Sequence, residues 1–118
     1  MFEKNLNISV LLDFYGEILT ERQFEMLELY YNEDYSLSEI AERYNISRQG
    51  VRSVLKKGEA ILLDMEEKLH LASRFTKMLD KSAEIALELE KINDNIKNNE
   101  ISCKIHRIIN QIKELADY

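Results

Sequence analysis

The first third of the chain places its apolar residues with a helical period. Between residues 6 and 19 they recur three or four positions apart, which predicts one amphipathic helix. Thr20 and Gln23 have the spacing of a capping box, so a second helix is predicted to begin there. Its apolar side consists of Phe24, Leu27 and Tyr31. We therefore expect two short helices that bury their apolar sides.

Two further short helices joined by a tight turn are predicted between residues 37 and 57. Ser36 and Glu39 have capping-box spacing, and apolar residues then recur at helical positions. Asn45 tolerates the left-handed backbone that a sharp turn requires. Ser47 can cap the helix that follows. This arrangement is typical of a helix-turn-helix.

The second of these helices has an apolar side and a basic side. Val51, Val54 and Leu55 mark the apolar side. The opposite side has no acid, and its Arg and Gln residues suit base edges while its Lys residues suit phosphates. We predict that this helix reads a major groove, although a helical hairpin with a solvated basic face shows the same pattern. The predicted DNA-binding residues are Ser47, Arg48, Gln49, Arg52, Ser53, Lys56 and Lys57.

The apolar pattern continues past Lys57 without a break. Steps of four and three residues predict a single helix from 48 to about 78, with Gly58 as a candidate for a bend. Asp80 is the predicted cap of a further helix, and an Asn pair at 98–99 interrupts the pattern before the last one. These two final helices are expected to form an antiparallel hairpin.

The apolar residues of the last helix recur in a 4-3-4-3 pattern, which indicates a seam between packed helices. Such a seam either closes the core of one chain or joins two chains. Because helix-turn-helix proteins commonly pair to read two half-sites, we expect both uses and a homodimer. The chain then divides into a helix-turn-helix domain at 1–69 and a dimerising extension at 70–118. The residues expected at the dimer interface are Ile85, Leu89, Ile92, Ile96, Ile101, Ile105, Ile108, Ile112 and Leu115.

The charge balance restricts how the chain can bind nucleic acid. Its formal net charge is −6, and an acidic protein is repelled by nucleic acid except where its basic residues cluster. Here they cluster at 48–57, so DNA binding should be local and modest. No apolar run reaches membrane-spanning length, and the N-terminus does not resemble a signal peptide. With its single Cys103, the chain is expected to be cytoplasmic, without membrane insertion.

Three residues, His70, Cys103 and His106, are prone to bind metals. Zinc needs at least three protein ligands, and no cluster converges in the sequence. The three glycines cannot form a phosphate-binding loop, and no nucleophile lies in a recognisable motif. We expect no cofactor, no metal and no enzymatic activity, and we expect Cys103 to be structural and inert.

Several stretches resemble known bacterial proteins. Residues 20–69, which begin TERQFEMLELYY and end AILLDMEEKL, resemble region 4 of a primary-type sigma factor. Over nearly its whole length the chain is similar to the YlxM-like family of small bacterial helix-turn-helix proteins. The matching stretches are LLDFYGEILTERQ at 11–23, LYYNEDYSLSEIAE at 29–42, SRQGV at 47–51 and MEEKLHL at 65–71.

The resemblance implies an all-α fold, in which a sigma region 4-like helix-turn-helix is followed by a long helix and a C-terminal helical hairpin. It also implies a dimeric DNA-binding protein that gene neighbourhood links to the signal recognition particle. The alternative is a modulator that contacts the particle's GTPase or its RNA without specific DNA recognition. Two departures leave the target DNA sequence open. Gly50 stands where Ala or Thr is usual, and Arg52-Ser53 stands where an aromatic and an acidic residue are common.

Overall fold

A computed structural model describes residues 6 to 117 of the chain. Every regular element in that range is helical, so the predicted all-α class is confirmed. The α-helices are α1 (Leu6–Tyr15), α2 (Glu21–Leu27), α3 (Leu37–Tyr44), α4 (Arg48–Leu69), α5 (Leu71–Asp94) and α6 (Asn99–Glu114). Short 3-10 turns cover Gly16–Ile18 and Leu115–Asp117, and a π-helical turn over Glu28–Asn32 extends α2.

Capping boxes begin α2 and α3 where the sequence predicts them. The N–H of Gln23 donates to Thr20 Oγ1 at 3.2 Å, and the Gln23 side chain accepts from the N–H of Thr20 at 3.0 Å. Glu39 and Ser36 repeat this exchange at 3.1 and 3.0 Å. Each box satisfies N–H groups that have no partner within a helix, which fixes where both helices begin.

The chain forms two compact units that meet between Ala72 and Ser73. The first unit contains the helix-turn-helix and a continuous core to which α1, α2, α3 and α4 all contribute. Its most deeply buried side chains are Ile8, Leu12, Met26, Leu27, Ile40, Val51 and Leu62. Gly58 lets α4 approach α2 closely, because a Cβ there would lie 2.7 Å from Leu27 Cδ1. Packing against α2 is therefore the role of Gly58, and α4 continues through it as regular helix.

The predicted single helix from 48 to about 78 is wrong, because α4 ends at Leu69. His70 adopts the left-handed conformation with a φ of 57°, and its N–H donates to the carbonyl of Glu66 at 2.8 Å. A left-handed residue directly after a helix is a common terminator. α5 then begins at Leu71 and continues to Asp94.

The first turn of α5 is capped by side chains from earlier in the chain. The N–H of Leu71 donates to the hydroxyl of Tyr15 at 3.1 Å, and the N–H of Ala72 donates to Glu66 Oε1 at 3.1 Å. The Tyr15 hydroxyl in turn donates to Glu66 Oε1 at 2.7 Å. Because these partners replace the hydrogen bonds of an uninterrupted helix, the break after Leu69 leaves no N–H of Leu71 or Ala72 unsatisfied.

Three details of the second half also differ from prediction. Asp80 lies inside α5 and therefore caps no helix. Ile96 lies in the link after α5, and Leu115 lies in the 3-10 turn that follows α6. The predicted interruption at 98–99 is confirmed, because Asn98 Oδ1 accepts from the N–H groups of Glu100 and Ile101 and begins α6 there.

Two side chains are more exposed than the sequence suggests. Phe24 was expected on the inner side of α2 but is 36% exposed, with its ring against Gly16. Cys103 is also exposed, so the expectation that it packs as a structural residue in an apolar run is wrong. Both errors have one cause, since helical spacing shows which residues share a side and not which side is covered.

Candidate nucleic-acid interface

The turn between α3 and α4 is built by residues that the sequence singled out. Asn45 is left-handed, with φ 56° and ψ 47°, and the N–H of Ile46 reaches back to the carbonyl of Ala41 at 3.0 Å. Ser47 then caps α4 by accepting the N–H of Gly50 at 3.0 Å. The chain therefore leaves one helix and enters the next within three residues, as in a helix-turn-helix.

Because one side of α4 is buried, the side chains on its opposite side face solvent. Val51 and Leu55 are almost fully buried against the rest of the first unit. The opposite side, which we call the α4 basic face, is exposed at every predicted position. It consists of Ser47, Arg48, Gln49, Arg52, Ser53, Lys56 and Lys57. The structure therefore brings together all seven residues predicted to bind DNA.

The cations of this face are not neutralised within the part of the chain that the structure describes. Over residues 6–117 the ion pairs join other side chains, and none involves Arg48, Arg52, Lys56 or Lys57. Glu59, the next acid along α4, accepts a hydrogen bond from the Tyr31 hydroxyl. The basic face can therefore meet an anionic ligand without first breaking an internal ion pair.

A groove of about 780 Å³ lies between the N-terminal turns of α3 and α4. Ser36 and Leu37 line one side, and Arg48, Gln49 and Arg52 line the other. Both helices present the positive ends of their dipoles here, which favours anions. The α4 basic face thus adjoins a concave surface that sequence reasoning did not anticipate.

Tyr30, Tyr35 and the acidic Asp34 also line this groove. Tyr30 is buried, and its burial and the Glu59 carboxylate raise the pKa of its hydroxyl while Arg52 lowers it. The guanidinium of Arg43 lies 5.9 Å from the centre of the Tyr35 ring and donates to its hydroxyl at 3.4 Å. Tyr30 lies in the π-helical turn, and Tyr35 directly precedes Ser36, the cap of α3, so both are close in sequence to the helix-turn-helix.

Residues 6–117 contain neither a metal-binding cluster nor a membrane-spanning helix. In that range no three His, Cys, Asp or Glu side chains converge in a way that could hold a metal ion. His70 ends α4, while Cys103 and His106 are exposed on α6. No helix in the described range is both long and apolar enough to cross a membrane.

Comparison with known families agrees with this geometry. Residues 2–115 match the model of the family described as UPF0122, "Putative helix-turn-helix protein, YlxM / p13 like". The chain belongs to this family. UPF0122 proteins with similar sequences occur in Acetivibrio thermocellus, at 44% identity over 115 residues and 98% of each chain, and in Thermoanaerobacter sp. strain X514. The second is 43% identical over 110 residues, which cover 93% of this chain and 94% of the relative.

A third relative matches over a shorter part of the chain at higher identity. The UPF0122 protein of Desulforamulus reducens is 55% identical over 69 residues, which is 58% of this chain and 59% of the relative. The resemblance to the YlxM-like family is thereby confirmed. The UPF0122 family is described as helix-turn-helix, and the structure forms that motif from α3, the Asn45 turn and α4.

Proposed function

We propose that this protein binds DNA by placing the first half of α4 in a major groove, and that it acts as a cytoplasmic regulator of transcription. The α4 basic face is the observation that carries the proposal. Its cations are exposed and form no ion pair with the other described residues, and an exposed Gln lies among them at the start of a capped helix. Membership of a helix-turn-helix family supports it. The acidic remainder of the chain would confine binding to this face.

Position along α4 suggests what each side chain does. Arg48, Gln49 and Arg52 lie in its first two turns, which are the part of such a helix that reaches base edges. Lys56 and Lys57 lie further along and would contact phosphates as point charges. The hydroxyls of Ser47 and Ser53 would donate to phosphate oxygens and fix the register on the duplex.

The dependence of binding on salt tests the number of phosphate contacts. Four cations per protomer predict a log–log slope of about −3.6, and about twice that for a dimer on two half-sites. The measurement is a titration of a DNA selected from random sequence, at several salt concentrations. A selected DNA that binds no better than random sequence would exclude specific recognition.

Single substitutions separate base contacts from phosphate contacts. Arg52→Ala should relax the preference at one base pair by about 1–3 kcal/mol. Lys56→Ala should weaken all sequences alike and flatten the salt slope by about one unit. Lys68→Ala is the matched control, because Lys68 is an exposed cation on the same helix that pairs with Asp64 at 3.0 Å, outside the α4 basic face.

We also propose that the protein works as a homodimer through its second unit. Two DNA-reading helices held by one dimer would contact two half-sites, which multiplies the specificity of a short face. The residues predicted at the interface divide into two sets in the structure. Leu89, Ile96, Ile105 and Ile112 are half-buried, whereas Ile85, Ile92, Ile101, Ile108 and Leu115 are exposed.

A second candidate function is modulation of the signal recognition particle through its GTPase or its RNA. The observation that favours it is charge, since residues 6–42 contain nine acids and only Arg22 as a base. Such a surface suits a basic protein better than DNA or RNA, so the charge favours a contact with the GTPase. Titration of the reconstituted particle with the wild type, Arg52→Ala and Lys68→Ala distinguishes the two. Loss of particle binding in Arg52→Ala, without any sequence preference on DNA, would favour this candidate.

A further inference from the structure

An acidic side chain lies beside the α4 basic face. Glu59 follows Lys56 by three residues and Arg52 by seven, which places all three on one side of α4. Together with Leu37 and Leu55 they line a small hollow between α3 and α4. A carboxylate in this position can pair with either cation, and a cation paired in this way is less available to an anionic ligand.

The same order and spacing of charges forms an ion pair elsewhere in the chain. On α5, Lys81 Nζ lies 3.6 Å from Oε2 of Glu84, three residues further on. Lys56 and Glu59 repeat this arrangement on α4, yet the ion pairs of residues 6–117 do not include them. The two glutamates differ in their other contacts, because Glu59 accepts a hydrogen bond from the Tyr31 hydroxyl and Glu84 accepts none from any tyrosine in that range.

Tyr31 is fixed in the core of the first unit. Its side chain is 9% exposed, and its ring meets the ring of Tyr30 edge to face, with centroids 5.1 Å apart. Burial, and then the hydrogen bond to Glu59, raise the pKa of Tyr31, so its hydroxyl stays protonated as a donor at neutral pH. Hydrogen bonds from a hydroxyl to a carboxylate are among the stronger ones in proteins. Tyr31 therefore holds the Glu59 carboxylate at the edge of the core.

The charges of Glu59 and Arg52 both act on the Tyr30 hydroxyl. Burial raises the pKa of Tyr30, the Glu59 carboxylate raises it further, and the Arg52 guanidinium lowers it. Both charged groups are therefore close to one hydroxyl, within the range at which opposite charges attract. A Glu59 side chain that Tyr31 no longer held would turn toward Arg52 or toward Lys56, its neighbour on the helix surface.

We infer that Tyr31 is a positioning residue for the α4 basic face: its hydroxyl holds the Glu59 carboxylate away from the neighbouring cations, which stay available to an anionic ligand. Those cations are Lys56 and Arg52. Because Tyr31 is buried, it acts through Glu59 and does not itself touch the ligand. The inference rests on the proposed binding of DNA by the α4 basic face.

A double-mutant cycle tests this role with Tyr31→Phe, Glu59→Gln and the protein that carries both substitutions. The probe is a short DNA duplex of random sequence, titrated with the full chain at several salt concentrations. Tyr31→Phe should weaken binding by about two- to fivefold, which is the strength of an exposed ion pair, and should flatten the log–log salt slope. Adding Glu59→Gln should restore the affinity, because no carboxylate is then left to pair with the cations. Glu59→Gln should therefore strengthen binding more in the Tyr31→Phe protein than in the wild type.

Glu59→Asp tests the same hydrogen bond from its other partner. An aspartate is one methylene shorter, so it keeps the negative charge beside Lys56 but draws the carboxylate away from the Tyr31 hydroxyl. We expect the same loss of affinity as in Tyr31→Phe. This variant replaces Tyr31→Phe if circular dichroism shows that loss of the tyrosine hydroxyl lowers the helix content.

Tyr44→Phe is the matched control. The Tyr44 hydroxyl donates to Glu25 at 2.7 Å, and neither residue belongs to the α4 basic face or to the hollow beside it. Tyr44→Phe should leave the affinity for the duplex and the salt slope unchanged. If Tyr31 contributed only to packing, Glu59→Gln would not restore binding, because removal of a carboxylate repairs no packing.

Two results would overturn the inference: equal effects of Glu59→Gln in the wild type and in Tyr31→Phe, or unchanged affinity in both Tyr31→Phe and Glu59→Asp. Failure of the proposed DNA recognition is a separate result, since it is judged by sequence preference, whereas the random duplex reports the available cations. The salt concentration that elutes each protein from a heparin column gives the same comparison without DNA. Tyr31→Phe should elute at lower salt than the wild type, and elution of both at the same salt would contradict the role of Tyr31.

Discussion

The two units of this protein are both helical, but they use their apolar residues in different ways. In the first unit almost every large apolar side chain on α1 to α4 that faces inward is buried in one core. In the second, the deeply buried side chains are Ala86 and Ile109, while five Ile and Leu residues of the predicted seam are nearly half exposed. The first unit exposes some apolar side chains, such as Ile18 and Leu63, but most of its apolar residues lie in one core. The second unit has a much smaller core beside its exposed apolar surface.

Polar links between helices show the same contrast. In the first unit, buried or partly buried tyrosines donate to glutamates on other elements, such as Tyr15 to Glu66 at 2.7 Å and Tyr44 to Glu25 at 2.7 Å. In the second unit, α5 and α6 are joined by the exposed ion pair between Glu90 and Lys113. Exposed ion pairs contribute little to stability, so the second unit depends mainly on apolar contacts such as those of Ala86 and Ile109.

The largest expected effect is a loss of stability when the core of the first unit is disrupted. Leu62→Ala should lower the free energy of unfolding by about 2–5 kcal/mol, because Leu62 is fully buried and its truncation leaves a cavity in the core. Its neighbour Leu63 is 49% exposed, so Leu63→Ala should change stability by less than about 0.5 kcal/mol. Urea unfolding followed by tyrosine fluorescence reports this unit, since the chain has no Trp and five of its six Tyr lie before residue 72. Similar losses for both variants would contradict the assigned core.

A feature of this fold is predictable from the sequence when the residues that form it are close together in the chain. Caps such as Ser36 with Glu39, and the left-handed turn at Asn45, arise from contacts within a few residues and were predicted correctly. The end of α4 was missed, because the apolar pattern continues through it and the partner that caps α5 is Tyr15, 56 residues before Leu71. Likewise the α4 basic face was predicted by local spacing, whereas the groove beside it depends on Tyr30 from a separate element.

The second prediction tests the cap that the Tyr15 hydroxyl provides for the first turn of α5. Tyr15→Phe removes the hydroxyl that accepts from the N–H of Leu71 and donates to Glu66. The partly buried N–H of Leu71 then loses its acceptor, whereas Glu66 keeps the hydrogen bond from the N–H of Ala72. We expect the melting temperature of the first unit to fall by about 5–10 °C. Tyr35→Phe is the control, because the Tyr35 hydroxyl receives only a long 3.4 Å hydrogen bond from the exposed Arg43. An unchanged melting temperature in Tyr15→Phe would mean that the α4–α5 junction does not depend on this network.

The tyrosine–glutamate contacts also predict alkaline sensitivity of the first unit. Burial, and then the hydrogen bond to Glu59, raise the pKa of Tyr31 well above its usual value of 10. Above about pH 10 the unfolded chain therefore loses the proton of the Tyr31 hydroxyl while the folded chain keeps it. The contribution of this hydroxyl to the free energy of unfolding is fully present below pH 10 and is lost as the pH rises. The loss should be at most about 1 kcal/mol per pH unit after solvent screening. In urea unfolding between pH 9 and 11, the free energy of unfolding should decline less steeply with pH in Tyr31→Phe than in the wild type.

The smallest expected effect is a stabilisation of the second unit, in contrast to the loss of stability expected from the core and cap substitutions above. Asn93 lies on the side of α5 that faces α6, and among the described residues its Oδ1 is buried with no hydrogen-bond donor. A buried acceptor without a partner costs free energy, so Asn93→Leu should stabilise the second unit by about 1 kcal/mol. Asn110→Leu, at an exposed position of α6, is the matched control and should have no measurable effect. Far-UV circular dichroism during urea unfolding measures both, and a stability loss in Asn93→Leu would mean that Oδ1 has a donor in solution.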